Sequence, residues 1–151
     1  MAIRTIVKEG DEVLRKVCRP VEKFDQKLND LIQDLADTMY QANGVGLAAP
    51  QVGILKRVAV VDVGDGLFEF INPRIVESSG EQIGTEGCLS CPGVWGTVKR
   101  PNVVTVEAYD RNGERFLLTA NELFARAICH EFDHLDGKLF KDFVIEYVSE
   151  D

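Results

Sequence analysis

The clearest periodicity in this 151-residue chain lies between residues 25 and 43. Leu28, Leu31, Ile32, Leu35, Met39 and Tyr40 recur at i, i+3, i+4, i+7, i+11 and i+12, the spacing of one helical face. Asn29, Asp30, Gln33, Asp34 and Asp37 take the outer face. Asp25 is placed to cap the N-terminus, and Asn43-Gly44 to stop the helix. Core packing is the expectation for Met39 and Tyr40. A second helix is predicted from Thr119, where Thr119-Ala120-Asn121-Glu122 has the form of a capping box. Leu123, Phe124, Ala127, Ile128, Phe132 and Leu135 give it a broad apolar surface, and Gly137 ends it.

Between the helices the pattern shortens to that of strands. Residues 57–63 and 67–71 read as a hairpin turned by Gly64-Asp65-Gly66, with Asn72-Pro73 ending its second strand. Residues 74–79 form a further short strand. Residues 103–109 and 115–119 read as a second hairpin, with Asn112-Gly113 supplying the positive φ angles of a tight turn. Hairpins require antiparallel pairing, which excludes a doubly wound α/β sheet. Residues 139–148 alternate enough for an edge strand. Residues 1–24 read as an arm: Val13, Leu14 and Val17 give a short apolar face before Arg19-Pro20 breaks it. The length suits one domain over residues 1–151.

Charge narrows the partners. A net charge of −8 and a pI of about 4.8 argue against a large basic surface, hence against nucleic acid or anionic membrane as a partner. The first ten residues hold no apolar core of signal-peptide length. No stretch approaches the roughly 20 apolar residues of a membrane span. A cytoplasmic location is the expectation, and there Cys18, Cys88, Cys91 and Cys129 are thiols or ligands rather than a disulfide framework.

The candidate chemistry begins at His130-Glu131-Phe132-Asp133-His134, an H-E-x-x-H motif holding both histidines of the chain. On a helix, residues four apart lie about 40° apart around the axis and about 6 Å apart along it. Both imidazoles then leave one face and can grip one metal ion, with Glu131 beside them as a general base. A surface pair of histidines is the bland alternative. The apolar surroundings of this helix argue against it, because a buried imidazole needs a partner. A catalytic site of this kind normally has three protein ligands and an open position. Cys88, in Glu86-Gly87-Cys88-Leu89-Ser90, can supply a thiolate as the third; a small buried hydrophobe is the plainer reading of an isolated cysteine. An acid downstream, Asp142 or Glu146, is the third ligand if the protein is a zinc metallopeptidase. Cys88 and Cys91 also form C-x-x-C, open to a closed structural zinc site or a redox dithiol. A module that holds metal or peptide without turnover is the non-enzymatic reading. Gly44-Val45-Gly46-Leu47-Ala48-Ala49-Pro50-Gln51 is dense in small residues, and Gln51 is its one strong side-chain hydrogen-bonding group.

Three blocks together resemble the signature motifs of the peptide deformylases: G-V-G-L-A-A-P-Q at 44–51, E-G-C-L-S at 86–90 and H-E-F-D-H at 130–134. Their order and approximate spacing agree as well. The resemblance implies an α+β fold. In it, antiparallel β-sheets pack around a central helix carrying HExxH, and a second long helix lies in the N-terminal half. It implies a hydrolase that removes the formyl group from the N-terminal formylmethionine of new polypeptides. Carried over, Cys88, His130 and His134 bind one divalent metal ion, most often Fe²⁺, with zinc, nickel or cobalt able to occupy the site. Glu131 is the acid/base, and Gln51 with the backbone N–H of Leu89 holds the formyl oxygen. Gly44 and Gly46 let the substrate lie along the backbone as an added strand. Val45, Leu89, Ala127 and Ile128 are the expected walls for the methionine side chain. Formyl-Met nascent peptides are the implied substrates, with the ribosome near its exit tunnel as a further partner. Many family members carry a longer C-terminal helix than this chain does. Cys91 stands where a small apolar residue is common.

Overall fold

The structure, a computed structural model, describes residues 2–148. Helix α1 spans Gln26–Gln41, and the Asp25 carboxylate accepts the Leu28 N–H at 3.2 Å, so the predicted cap is in place. Strands β1 (Gly46–Ala48), β2 (Val58–Val61), β3 (Phe68–Ser79), β4 (Gln82–Cys88), β5 (Cys91–Arg100), β6 (Val103–Tyr109) and β7 (Arg115–Asn121) follow. Helix α2 (Glu122–Leu135) and strand β8 (Val144–Val148) complete the order. Every strand ladder is antiparallel. One sheet runs β1-β2-β3-β6-β7 and the other β4-β5-β8, giving an α+β architecture.

Side-chain alternation on β2 explains how the large sheet is covered. Val58 and Val60 join the core formed with Leu28, Leu31, Ile32, Leu35 and Met39 of α1. Ala59 and Val61 join the core formed with Ala125, Ile128, Cys129, Phe132 and Leu135 of α2. Successive residues of a strand face opposite sides, so α1 and α2 cover opposite faces of the sheet at β2. A strand buried on both faces reads as an unbroken apolar run, which is what V-A-V-V is. Each fully buried Leu or Ile in these cores contributes about 1.5–3 kcal/mol.

Several predicted details differ. Thr119 does not cap α2: it lies in β7, opposite Thr105, and the two hydroxyls are 2.9 Å apart. The β6–β7 ladder holds the chain extended through Asn121, so α2 starts after it with no side-chain cap. Asn72-Pro73 does not end a strand. Asn72 takes φ +50° at an irregularity in β3, its amide exchanges two hydrogen bonds with the backbone of Val21, and the strand continues to Ser79. The β6–β7 turn is wider than a two-residue one. Asp110 N–H donates to the Glu114 carbonyl at 2.9 Å, and of Asn112 and Gly113 only Gly113 has positive φ.

Tyr40 is not core: it is 48% exposed, and its hydroxyl donates to Asp62 at 2.6 Å. Asp34 is not on an open face. Ala2 N–H and Arg4 Nε–H donate to its two oxygens, because the N-terminal arm lies over that side of α1. In the arm itself Leu14 is buried, whereas Val17 is 66% exposed. The predicted helical turn there is a 3₁₀ turn at Glu12–Arg15. Of residues 139–148, the first part is a 3₁₀ turn at Phe140–Phe143, and only β8 is strand, at the edge of the smaller sheet. The β4–β5 hairpin has no counterpart in the periodicity. Its glycines and Pro92 interrupt any apolar alternation, so the segment reads locally as a bend.

Candidate active site

His130 and His134 stand one turn apart on α2, with ring centroids 5.1 Å apart. Cys88, at the end of β4, completes the group: one donor atom from each of the three lies within 4.8 Å of the others. Cys88 Sγ is 3.4 Å from His134 Nε2. The downstream acids do not join them. Asp142 accepts from Arg15 and from the Leu139 N–H, and Glu146 is exposed on β8.

A buried carboxylate that the motif reading passed over, Glu86, organises the group. Its Oε1 lies 2.9 Å from His130 Nδ1, and Arg100 grips both its oxygens at 2.9 Å. Arg126 Nη1 donates to Oε2 at 2.6 Å. Burial opposes the charge on Glu86, but the Arg100 and His130 hydrogen bonds outweigh it and bring its pKa down to about 2. With Nδ1 bonded to Glu86, His130 has Nε2 left to bind a metal. Burial also disfavours charge on His130, yet the Glu86 bond and the Glu131 charge leave its pKa raised. His134 is held well below the ordinary histidine value by burial and by the His130 and Arg100 charges, so it offers a neutral imidazole. The neighbouring Cys91 sulfur and burial push the Cys88 thiol up, so a bound cation must displace its proton.

Glu131 is buried, its Oε1 has no hydrogen-bond partner among the described residues, and burial raises its pKa to about 7. That is the range a general base needs near neutral pH. Its carboxylate rests against β1: a Cβ added at Gly46 would stand 2.4 Å from Glu131 Oε2. A Cβ at Gly44 would stand 2.7 Å from Leu89 Cδ1, so the G-V-G segment is glycine where two side chains press on it.

Gln51 is pinned at both ends. Its Oε1 accepts the Ala48 N–H at 3.0 Å, and its Nε2 lies 3.1 Å from Ser90 Oγ and 3.6 Å from Cys88 Sγ. Leu89 and Ser90 form the turn between β4 and β5, across which Cys88 faces Cys91. A cavity of about 480 Å³ opens here. Gly44, Val45, Gly46, Gln51, Cys88, Leu89, Ala127, His130 and Glu131 all line it, together with Trp95 and Leu123, neither of which the sequence reading placed at a site. Ile128 is elsewhere: it is fully buried in the core between α2 and the large sheet. Ala127 and Ile128 are adjacent on a helix, so about 100° of rotation separates them and only one faces the cavity.

A thiol and two imidazole nitrogens, one fixed by a buried carboxylate and one kept neutral, suit a divalent transition metal such as zinc or iron. The buried carboxylate beside them has an oxygen free to take a proton. An α+β fold with such a site has the form of a metal-dependent hydrolase. The chain belongs to the polypeptide deformylase family, whose profile, described as Polypeptide deformylase, matches residues 3–148.

Relatives agree. The chain is 61% identical over 151 residues to a peptide deformylase of Acetivibrio thermocellus, covering all of this chain and 89% of that one. It is 58% identical over 142 residues to a peptide deformylase of Clostridium botulinum, covering 94% and 97%. Among solved structures, a peptide deformylase from Thermotoga maritima superposes with a TM-score of 0.94 at 41% identity, covering 95% of this chain and 99% of that one. One from Legionella pneumophila gives 0.92 at 49% identity, covering 95% and 86%. The family is metal-dependent and acts on formylated nascent peptides. Among the described residues no helix is long and apolar enough to cross a membrane.

Proposed function

We propose that this chain hydrolyses the N-terminal formamide of formylmethionyl peptides, giving formate and a free amine, with Cys88, His130 and His134 as ligands of one divalent cation. The carrying observation is the convergence of those three donors beside the buried carboxylate of Glu131, whose Oε1 has no hydrogen-bond partner among the described residues. When bound, the cation supplies Lewis-acid chemistry, polarising a carbonyl and making water acidic. We take Fe²⁺ as the resident ion; the His₂Cys donor set also accepts zinc, nickel or cobalt.

Glu131 takes the proton of the attacking water and returns it to the departing amine nitrogen. Gln51 Nε2 and the Leu89 N–H hold the formyl oxygen as it gains charge; one such donor is worth about 3–4 kcal/mol in the transition state. The Ala48 N–H bond to Gln51 Oε1 keeps the amide nitrogen turned toward the Cys88 side. Strand β1 is an edge of its sheet, so the peptide adds alongside Gly44–Gly46 as a further strand. Val45, Leu89, Trp95, Leu123 and Ala127 wall the methionine side chain.

In this reading residues 1–151 are one catalytic domain, with α2 as the central helix and the sheets packed around it. The protein works in the bacterial cytoplasm, meeting its substrates as they leave the ribosome. The test is formate release from a formyl-Met peptide by protein loaded with Fe²⁺ without oxygen. Stoichiometric cation with no formate released would overturn the hydrolase reading.

A further inference from the structure

Cys88 comes from β4, while His130 and His134 come from α2. The geometry of the three donors is therefore the geometry of β4 against α2. Besides the Glu86–His130 bond, the side chain that ties these two elements directly is Arg126. It lies on α2 four residues before His130, on the same helical face. From there its Nε–H donates to Gln82 Oε1 at 3.2 Å, and its Nη1–H to the Gly84 carbonyl at 3.3 Å and Glu86 Oε2 at 2.6 Å. Residues 82, 84 and 86 are alternate positions of β4, so one guanidinium spans three successive sites on one face of the strand that ends in Cys88. Gly84 leaves room for it: a Cβ there would stand 3.1 Å from Arg126 Nη2.

The carboxylate of Glu86 accounts for the rest. An ionised carboxylate offers about four lone-pair sites. His130 Nδ1 and Arg100 Nη2 share Oε1, and Arg100 Nε and Arg126 Nη1 share Oε2. All four are filled. Arg100 reaches the carboxylate from β5 and also bonds Asp133 of α2, so it links Glu86 to α2 only through a third element. Arg126 closes the fourth site from the same helix that carries His130.

We propose that Arg126 is a positioning residue for the metal site. It splints β4 to α2 and holds Glu86 so that Glu86 keeps His130 with Nε2 toward the cation and Cys88 at its distance. This rests on the reading of Cys88, His130 and His134 as the ligand set. Arg126 also lines the cavity, so a substrate-binding role is the competing explanation, and the readouts separate the two.

The experiment compares wild type, Arg126→Met, Arg126→Lys and Cys88→Ala, each loaded with Co²⁺. Cation affinity is measured by chelator competition, the visible absorption of the bound ion is recorded, and kcat and KM are determined separately. Wild type binds one Co²⁺ and Cys88→Ala does not; if Cys88→Ala matches wild type, the ligand reading fails whatever Arg126 does. With that control in place, Arg126→Met is expected to bind Co²⁺ about 10- to 100-fold more weakly, with a shifted absorption band. Arg126→Lys recovers part of both, because an ammonium reaches Glu86 without spanning the three acceptors. Wild-type affinity and spectrum in a folded Arg126→Met, with only KM or Tm changed, would overturn the proposal. If Arg126→Met does not fold, Arg126→Lys decides: weaker affinity with a shifted band supports it, and wild-type values for both overturn it.

Discussion

Helix α2 and the β4–β5 hairpin bring the site's donors together from opposite directions, and they are unlike in how they do it. On α2, the spacing of His130 and His134 is set by the helix itself, whatever surrounds it. On the hairpin, nothing local sets Cys88 beside them. Its place depends on the Cys88–Cys91 register, on Arg100 and Arg126 reaching Glu86, and on Gln51 reaching across from another segment. Half the site is fixed by backbone geometry and half by contacts between residues distant in the chain. Loss of the hairpin's one donor, Cys88, should therefore decide whether the site exists, and loss of Glu131 on the helix how it works.

Cys88→Ala is the severest test of that division. It should bring bound cation from one per chain to near zero and activity to background, read by metal analysis and formate release. A variant that kept its cation would show that α2 suffices. Glu131→Gln should do the reverse, keeping the cation while kcat falls by about 10²–10⁴-fold, the range for a lost general base. Activity within tenfold of wild type would remove Glu131 from that role. Gln51→Ala should lower kcat by about 10²–10³-fold with little change in KM; a change in KM alone would mean that Gln51 serves ground-state binding.

Gly46→Ala probes the helix side from β1, which lies against the base. The new Cβ would meet Glu131 Oε2, and a displaced base should cost about 10- to 100-fold in kcat with the cation retained. Wild-type kcat there would show that Glu131 has room to move. Thr119→Ala should do least. Thr119 is an exposed strand residue rather than a helix cap, so the change in unfolding free energy should stay within about 0.5 kcal/mol. A loss nearer the roughly 1 kcal/mol of a lost cap would restore the capping reading.

What the sequence made legible follows the same division. The register of α1, its Asp25 cap, the two outer hairpins and the H-E-x-x-H helix are local patterns, and the structure has each of them. Cys88 and Gln51 stand out by donor chemistry, and their roles come from the resemblance of short motifs, since neither has a periodicity to betray it. Glu86, Arg100 and Arg126 were missed for a physical reason. Buried charge is defined by its partner, and Glu86 and Arg126 lie 40 residues apart in the chain. Ile128 was misplaced because an apolar stripe on a helix does not say which residue faces the core and which an adjoining cavity. The burial of Asp34 comes from an arm whose path no pattern within α1 records.

That arm reaches further than α1. Val7 N–H donates to the Gln51 carbonyl at 2.7 Å, and Glu9 N–H to the Ser90 carbonyl at 2.8 Å. Within three residues, one strand of backbone is therefore stitched to both segments that supply the candidate oxyanion donors. It works as a brace: residues 7–9 hold the turn at Leu89-Ser90 and the loop of Gln51 at a fixed spacing, while Ala2 and Arg4 anchor the same arm to α1. The spacing of the two candidate oxyanion donors is thus set in part by a segment that neither lines the cavity nor supplies a metal donor.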